Sequence, residues 1–122
     1  MFFKVIPMSK EKARAHFLGQ QGHNKLNCGQ TIICAFKDKF LLSDEMIHRF
    51  EGYGGGKAPE GHCGAFYAAK VILEDRYPEK LKDCEKLFVT HANSTKCKEI
   101  RSFRKLTCLG CVEKVAESLE NI

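Results

Sequence analysis

The chain has no apolar run approaching membrane-spanning length and almost nothing that reads as a β-strand, so neither a spanning helix nor a sheet-based fold is expected. Val71-Ile72 is too short and too embedded in alanine to count as a strand. A secretory signal is not expected either, because the apolar start Met1-Phe2-Phe3-Lys4-Val5-Ile6 is interrupted at once by Pro7. Both the phosphate-loop pattern ending in Gly-Lys-Ser/Thr and the dinucleotide glycine spacing after a strand are missing, which argues against a nucleotide site. Cysteine is plentiful at seven, yet an odd number excludes complete pairing within the chain. These absences together point to a reducing cytoplasm, where thiols stay free unless they bind metal or turn over.

What is present is enough for one ordinary core. The chain has 122 residues, 43% of them hydrophobic, with nine Phe, so a single domain over residues 1–122 needs no covalent staples. Helical signals recur along its length. Ser9 can cap a first helix bearing Ala13, Phe17 and Leu18, and Asn27 a second with Cys28, Ile32, Phe36 and Phe40 along one side. Ser43-Asp44-Glu45 opens a third with Met46, Ile47 and Phe50 inward. A fourth is expected from near Gly61 to Tyr77, where Pro78 stops it and starts a fifth with Leu81, Cys84, Leu87 and Phe88 inward. Further helices are expected after Ser94 and after Thr107, the last with Val112, Val115, Ala116 and Leu119 inward. The expected architecture is therefore all-α: a compact bundle of six or seven short helices with a glycine-rich loop before the fourth.

Four cysteines fall at expected helix starts: Cys28 after Asn27, Cys63 after Gly61-His62, Cys97 after Ser94, and Cys108 after Thr107. Free N–H groups and the positive end of the helix dipole at such places favour a thiolate over a thiol. Thiolates meeting at one point would need an iron–sulfur cluster, a zinc ion or reversible disulfides to hold them. The glycine passage Gly52-Tyr53-Gly54-Gly55-Gly56-Lys57-Ala58-Pro59-Glu60-Gly61-His62-Cys63-Gly64 precedes the second of them. Backbone N–H groups of Gly54, Gly55 and Gly56 can form a concavity suited to an anion, including the sulfurs of a cluster, and Gly64 leaves room beside the Cys63 sulfur.

The other thiols and the histidines have plainer readings. Cys34 lies about 240° around a helix from Cys28, so both cannot face one centre, and it is read as core. Cys84 is read as a small buried apolar residue. Cys111 completes Cys108-Leu109-Gly110-Cys111, the spacing of dithiol oxidoreductases, and is the alternative to Cys108. His62 is read as a partly exposed loop histidine that could also donate to a sulfur or replace a thiolate, while His16, His23, His48 and His91 are read as surface or helix-end residues.

The net charge is +5, and Lys96, Lys98, Arg101, Arg104 and Lys105 stand against a single Glu99 within residues 94–106. With only Phe103 interleaved, the stretch lacks the stacking residues of a nucleic-acid surface. A solvated face, an offset for an anionic cluster, or a dock for an acidic redox partner all fit it.

Taken in order, Asn27-Cys28-Gly29-Gln30, Gly54-Gly55-Gly56, Cys63-Gly64-Ala65, Cys97-Lys98-Glu99-Ile100, and Cys108 followed by Val112 and Ala116-Glu117 resemble the C-GCAxxG-C-C family of redox-active proteins over about residues 11–120. The resemblance implies a small helical protein, a redox role, and four functional cysteines that carry over to Cys28, Cys63, Cys97 and Cys108. A similar module in the split-Soret cytochromes implies an iron–sulfur centre. Three departures stand out: Ala68 occupies the last glycine position of the motif, Cys34, Cys84 and Cys111 are extra, and Val112 after Cys111 rules out haem attachment.

The resulting expectation is electron transfer through an iron–sulfur cluster held by Cys28, Cys63, Cys97 and Cys108, with a protein redox partner and no membrane span. The rivals are a metal-free thiol–disulfide oxidoreductase and a zinc-stabilised helical interaction module.

Overall fold

A computed structural model describes residues 26–53 and 56–122. The first expected helix, after Ser9, and the positions of Gly54 and Gly55 lie outside the described residues. Seven α-helices run through the rest: α1 Cys28–Ala35, α2 Lys37–Phe40, α3 Asp44–Arg49, α4 Gly64–Arg76, α5 Pro78–Ala92, α6 Cys97–Phe103 and α7 Cys108–Glu120. Short 3-10 turns follow at Phe50–Gly52 and Pro59–Gly61. Among the described residues the nearest thing to a sheet is one isolated antiparallel bridge, His62 with Lys96. The all-α expectation holds.

Local chemistry accounts for the boundaries. Asn27 accepts a hydrogen bond from the Gln30 amide at 2.8 Å, and Gln30 Oε1 accepts one from the Asn27 amide at 3.3 Å, a reciprocal cap that fixes where α1 begins. The same Asn27 donates through Nδ2 to the carbonyls of Phe50 and Glu51 at 2.9 and 3.0 Å. One residue thus starts a helix and ties it to the turn after α3. Pro78 takes the first position of α5, where its missing N–H costs nothing, and Asn93 ends that helix in the left-handed conformation at φ 71°.

Two boundaries fall short of the sequence reading. α4 starts three residues beyond Gly61, because the 3-10 turn at Pro59–Gly61 uses Gly61 at φ 74° to redirect the chain before Cys63 caps the helix. Ser94 does not cap α6. Its hydroxyl donates to Glu99 at 2.6 Å and accepts from the Lys96 amide at 3.0 Å, while the helix begins at Cys97, as expected of that cysteine, with Lys96 in the cap position. Leu87, expected inward, is 38% exposed.

The core gathers around α4, which packs against α1, α5 and α7. Phe36, Phe50, Phe66 and Phe88 are fully buried with Ile32, Ile33, Ile72, Leu73, Val112, Val115 and Leu119. Each such side chain contributes on the order of 1.5–3 kcal/mol by leaving water. Cys84 lies in this core, as read from the sequence, and Cys34 is half-buried on α1. No described helix is long and apolar enough to cross a membrane.

Candidate functional site

Five cysteines line one cavity of about 290 Å³: Cys28, Cys63, Cys97, Cys108 and Cys111, with Ile100, Arg101, Arg104, Leu106 and Thr107 completing the wall. The helix starts deliver four of them. Cys28 opens α1, Cys63 caps α4, Cys97 opens α6 and Cys108 opens α7, while Cys111 stands one turn into α7 on the same face as Cys108.

The closeness of α1 and α4 is made by glycine. A Cβ on Gly64 would sit 2.7 Å from the Cys28 sulfur, 3.0 Å from the Tyr53 carbonyl oxygen and 3.2 Å from the Gly29 nitrogen. One on Gly29 would sit 2.8 Å from the Phe50 ring and 3.1 Å from the Gly64 carbonyl oxygen. Each Cys-Gly pair therefore makes room for the other. Gly56, at φ 87°, packs against Cys97 with only 3.9 Å between its would-be Cβ and the sulfur, which places the end of the glycine run on that thiol. A 2.7 Å hydrogen bond from the Cys63 amide to the Thr95 carbonyl, next to the His62–Lys96 bridge, brings the start of α4 beside the start of α6.

The sulfurs form two groups. Cys63 makes thiol-to-thiol contact with both Cys28 and Cys111, giving a row with Cys63 in the middle. Cys63 and Cys111 are buried, and Cys28 is half-buried. On the other side Cys108 is exposed, the Arg101 guanidinium lies against its sulfur, and Arg101 also faces Cys97.

The thiolate expectation fails for three of these residues. Hydrogen bonding to the Cys63 sulfur, then burial, push the Cys28 thiol far up from its ordinary value; contact with Cys111 and burial push Cys63 up to about 12; burial pushes Cys97 up. A helix dipole offers a fraction of a charge, whereas burial removes the water a thiolate needs and a neighbouring thiol competes for the same charge. Cys28, Cys63 and Cys97 therefore rest as thiols in the unliganded protein.

His62 departs from its sequence reading. It is buried rather than partly exposed, meets Phe66 edge-on and stacks on Tyr67, lies 3.4 Å from Glu60 through Nε2, and is not part of the cavity wall. Its Nδ1 has no hydrogen-bond partner among the described residues. His48 and His91 sit in the last turns of α3 and α5, as expected for helix-end residues. Cys111, Arg101 and Arg104 join the four helix-start cysteines on the cavity wall. Their signals were the Cys-x-x-Cys spacing and the basic run, and only packing shows that both belong to one cavity.

Among the described residues no group of three or more His, Cys, Asp or Glu is arranged to hold a metal ion. An iron–sulfur cluster has more than one iron and takes thiolates set further apart around a larger volume. The donor set, the cavity and the two guanidinium groups fit such a cluster.

The model of the C_GCAxxG_C_C family, described as putative redox-active proteins, matches residues 26–122, and the chain belongs to that family. Neither the curated proteins nor the solved structures contain a match to it.

Proposed function

We propose that the cavity is a redox centre in which four thiolates hold an iron–sulfur cluster and the protein passes single electrons to and from a protein partner in the cytoplasm. The observation that carries this reading is the convergence of five cysteines, from four separate helix starts, on one cavity of about 290 Å³. Cys28, Cys63, Cys97 and Cys108 are the set named by the motif order, and Cys111 reaches the same wall. Bound there, the cluster would supply one-electron chemistry. The chain's own residues prepare the place. Gly64 and Gly56 keep side-chain bulk away from the Cys28 and Cys97 sulfurs, and Ile100 and Leu106 keep water from part of the wall. Arg101 and Arg104 offset the negative charge of thiolate ligands, which lowers the cost of gathering them.

A partner surface is offered beside the cavity. Phe103, 51% exposed at the end of α6, is flanked in sequence by Lys98, Arg101, Arg104 and Lys105, all exposed, which suits an acidic redox protein.

A second reading is favoured by the row of thiols. Cys63 touches both Cys28 and Cys111, so it could pair with either in a metal-free thiol–disulfide cycle. Anaerobic purification separates the two. The cluster reading expects visible absorbance with stoichiometric iron and sulfide, all lost in Cys63→Ala. The disulfide reading expects a colourless protein whose thiol count falls reversibly in pairs on mild oxidation, and that result would sink the cluster.

A further inference from the structure

The two cysteines of α7 face the same cavity from different surroundings. Cys111 is 2% exposed and touches Cys63 in the inner row. Cys108 is exposed, with Arg101 against its sulfur and Arg104 on the same wall. Four thiolates suffice for a cluster, so five cysteines leave one over. Burial and contact with Cys63 choose Cys111 over Cys108 as the fourth ligand beside Cys28, Cys63 and Cys97. Cys108 is then a free thiol at the solvent side of a cavity whose polar rim is cationic.

We propose that Cys108 is a thiol–disulfide exchange site for small, net-negative disulfides, with Arg101 and Arg104 receiving their carboxylates. The inference rests on the redox reading above and replaces one of its assignments. A guanidinium against the sulfur and a second on the same cavity wall can bind carboxylates well, through paired N–H donors in a fixed plane. They also attract an anionic reactant before any bond forms. Thr107 holds the sulfur in place, since its side chain accepts a 2.9 Å bond from the Gly110 amide and so fixes the first turn of α7. In the exchange step the Cys108 thiol gives its proton to solvent and the sulfur attacks one sulfur of the disulfide. The Cys108–S bond forms as the old S–S bond breaks, and the departing thiolate takes a proton from water. Cys108 is oxidised to a mixed disulfide, and half of the incoming disulfide is reduced to a thiol.

The test uses the anaerobically purified full chain and two probes. Glutathione disulfide is net negative; cystamine carries ammonium groups around the same S–S bond. Each rate is divided by that probe's rate with free cysteine, and the modified residue is located by peptide mass mapping. The expected result is a first adduct on Cys108 and a normalised preference for glutathione disulfide of about tenfold or more, as electrostatic attraction of this kind supplies. In Arg101→Gln/Arg104→Gln the preference collapses while helix content stays the same. A first adduct on any other cysteine, or a preference that survives both substitutions, overturns the proposal. Iron content gives the independent arm: Cys111→Ser should lose iron and colour, and Cys108→Ser should keep both while taking up no adduct. The reverse pattern makes Cys108 a ligand and also overturns the proposal. Wild-type protein without iron would defeat the cluster reading alone, leaving the adduct position and the charge preference to decide the exchange site.

Discussion

Around one cavity, Cys28 and Cys63 stand on helix starts pressed together through Gly29 and Gly64, whereas Cys97 and Cys108 stand on helix starts that carry arginine beside them. The first region is built by removing side chains, so its sulfurs are close, at least half-buried and protonated. The second is built by adding cations at the surface, so its sulfurs face charge and, at Cys108, solvent. The contrast teaches that a helix start alone does not set the state of a thiol. What surrounds the start decides whether the sulfur is held for a ligand or offered to solvent.

The largest expected difference between the regions is in stability. Phe50 is fully buried against Tyr53 and Tyr67, and its ring meets the space that Gly29 leaves open. Phe50→Ala should cost about 3–5 kcal/mol in denaturant unfolding, as expected for an aromatic side chain lost from a packed core. A change below about 1 kcal/mol would show that the inner region is not the rigid one.

Next in size comes the response to alkali. The Cys63 thiol has its ordinary value of 9.0 raised to about 12 in the folded protein. The folded state therefore keeps a proton that the unfolded chain releases, so the stabilisation is fully present below pH 9 and falls as pH rises from 9 through about 12. The slope is at most about 1.4 kcal/mol per pH unit for this thiol. Denaturation midpoints of the unliganded protein from pH 8 to 11 should fall, and the fall should be shallower in Cys63→Ala. An unchanged slope in that variant would remove Cys63 as the cause.

Glycine gives a sharper comparison at smaller cost. Gly64→Ala places a Cβ against two backbone atoms as well as the Cys28 sulfur, so the helix starts must move apart, at about 1–3 kcal/mol. Gly52→Ala meets nothing within 4 Å and should change stability by no more than about 0.5 kcal/mol. Equal effects would refute the packing role given to Gly64.

Much of this arrangement was legible in the residues, for identifiable reasons. Asn27 with Gln30, Pro78, and Thr107 announce their helix boundaries because caps and proline act within one turn. The four helix-start cysteines were readable for the same reason. That they meet was not readable from local signals, because the meeting depends on long-range contacts such as the Gly29–Gly64 approach and the Cys63–Thr95 hydrogen bond. Cys111 was readable as half of a Cys-x-x-Cys pair, but its contact with Cys63 is set by how α7 packs on α4. Ser94 misled because its hydroxyl found Glu99 in space instead of a helix amide beyond the next residue. The thiolate expectation misled because dipole reasoning contains no term for burial, which is decided by the whole fold.

The smallest expected effects compare the two caps of the site. Asn27 holds the Gln30 amide and two carbonyls beyond α3, so Asn27→Ala removes a cap and a tether together and should cost about 1–2 kcal/mol. Thr107 holds the Gly110 amide alone, in an exposed position, and Thr107→Ala should cost about 0.5–1 kcal/mol. The ordering matters more than either figure, because it tests whether the α1 start is anchored by the rest of the fold while the α7 start is held only by its own first turn. If the Thr107 variant proves the more damaging, the start of α7 is tied into the molecule as firmly as that of α1, and the division of the cavity into a rigid inner side and a lightly held outer side is lost.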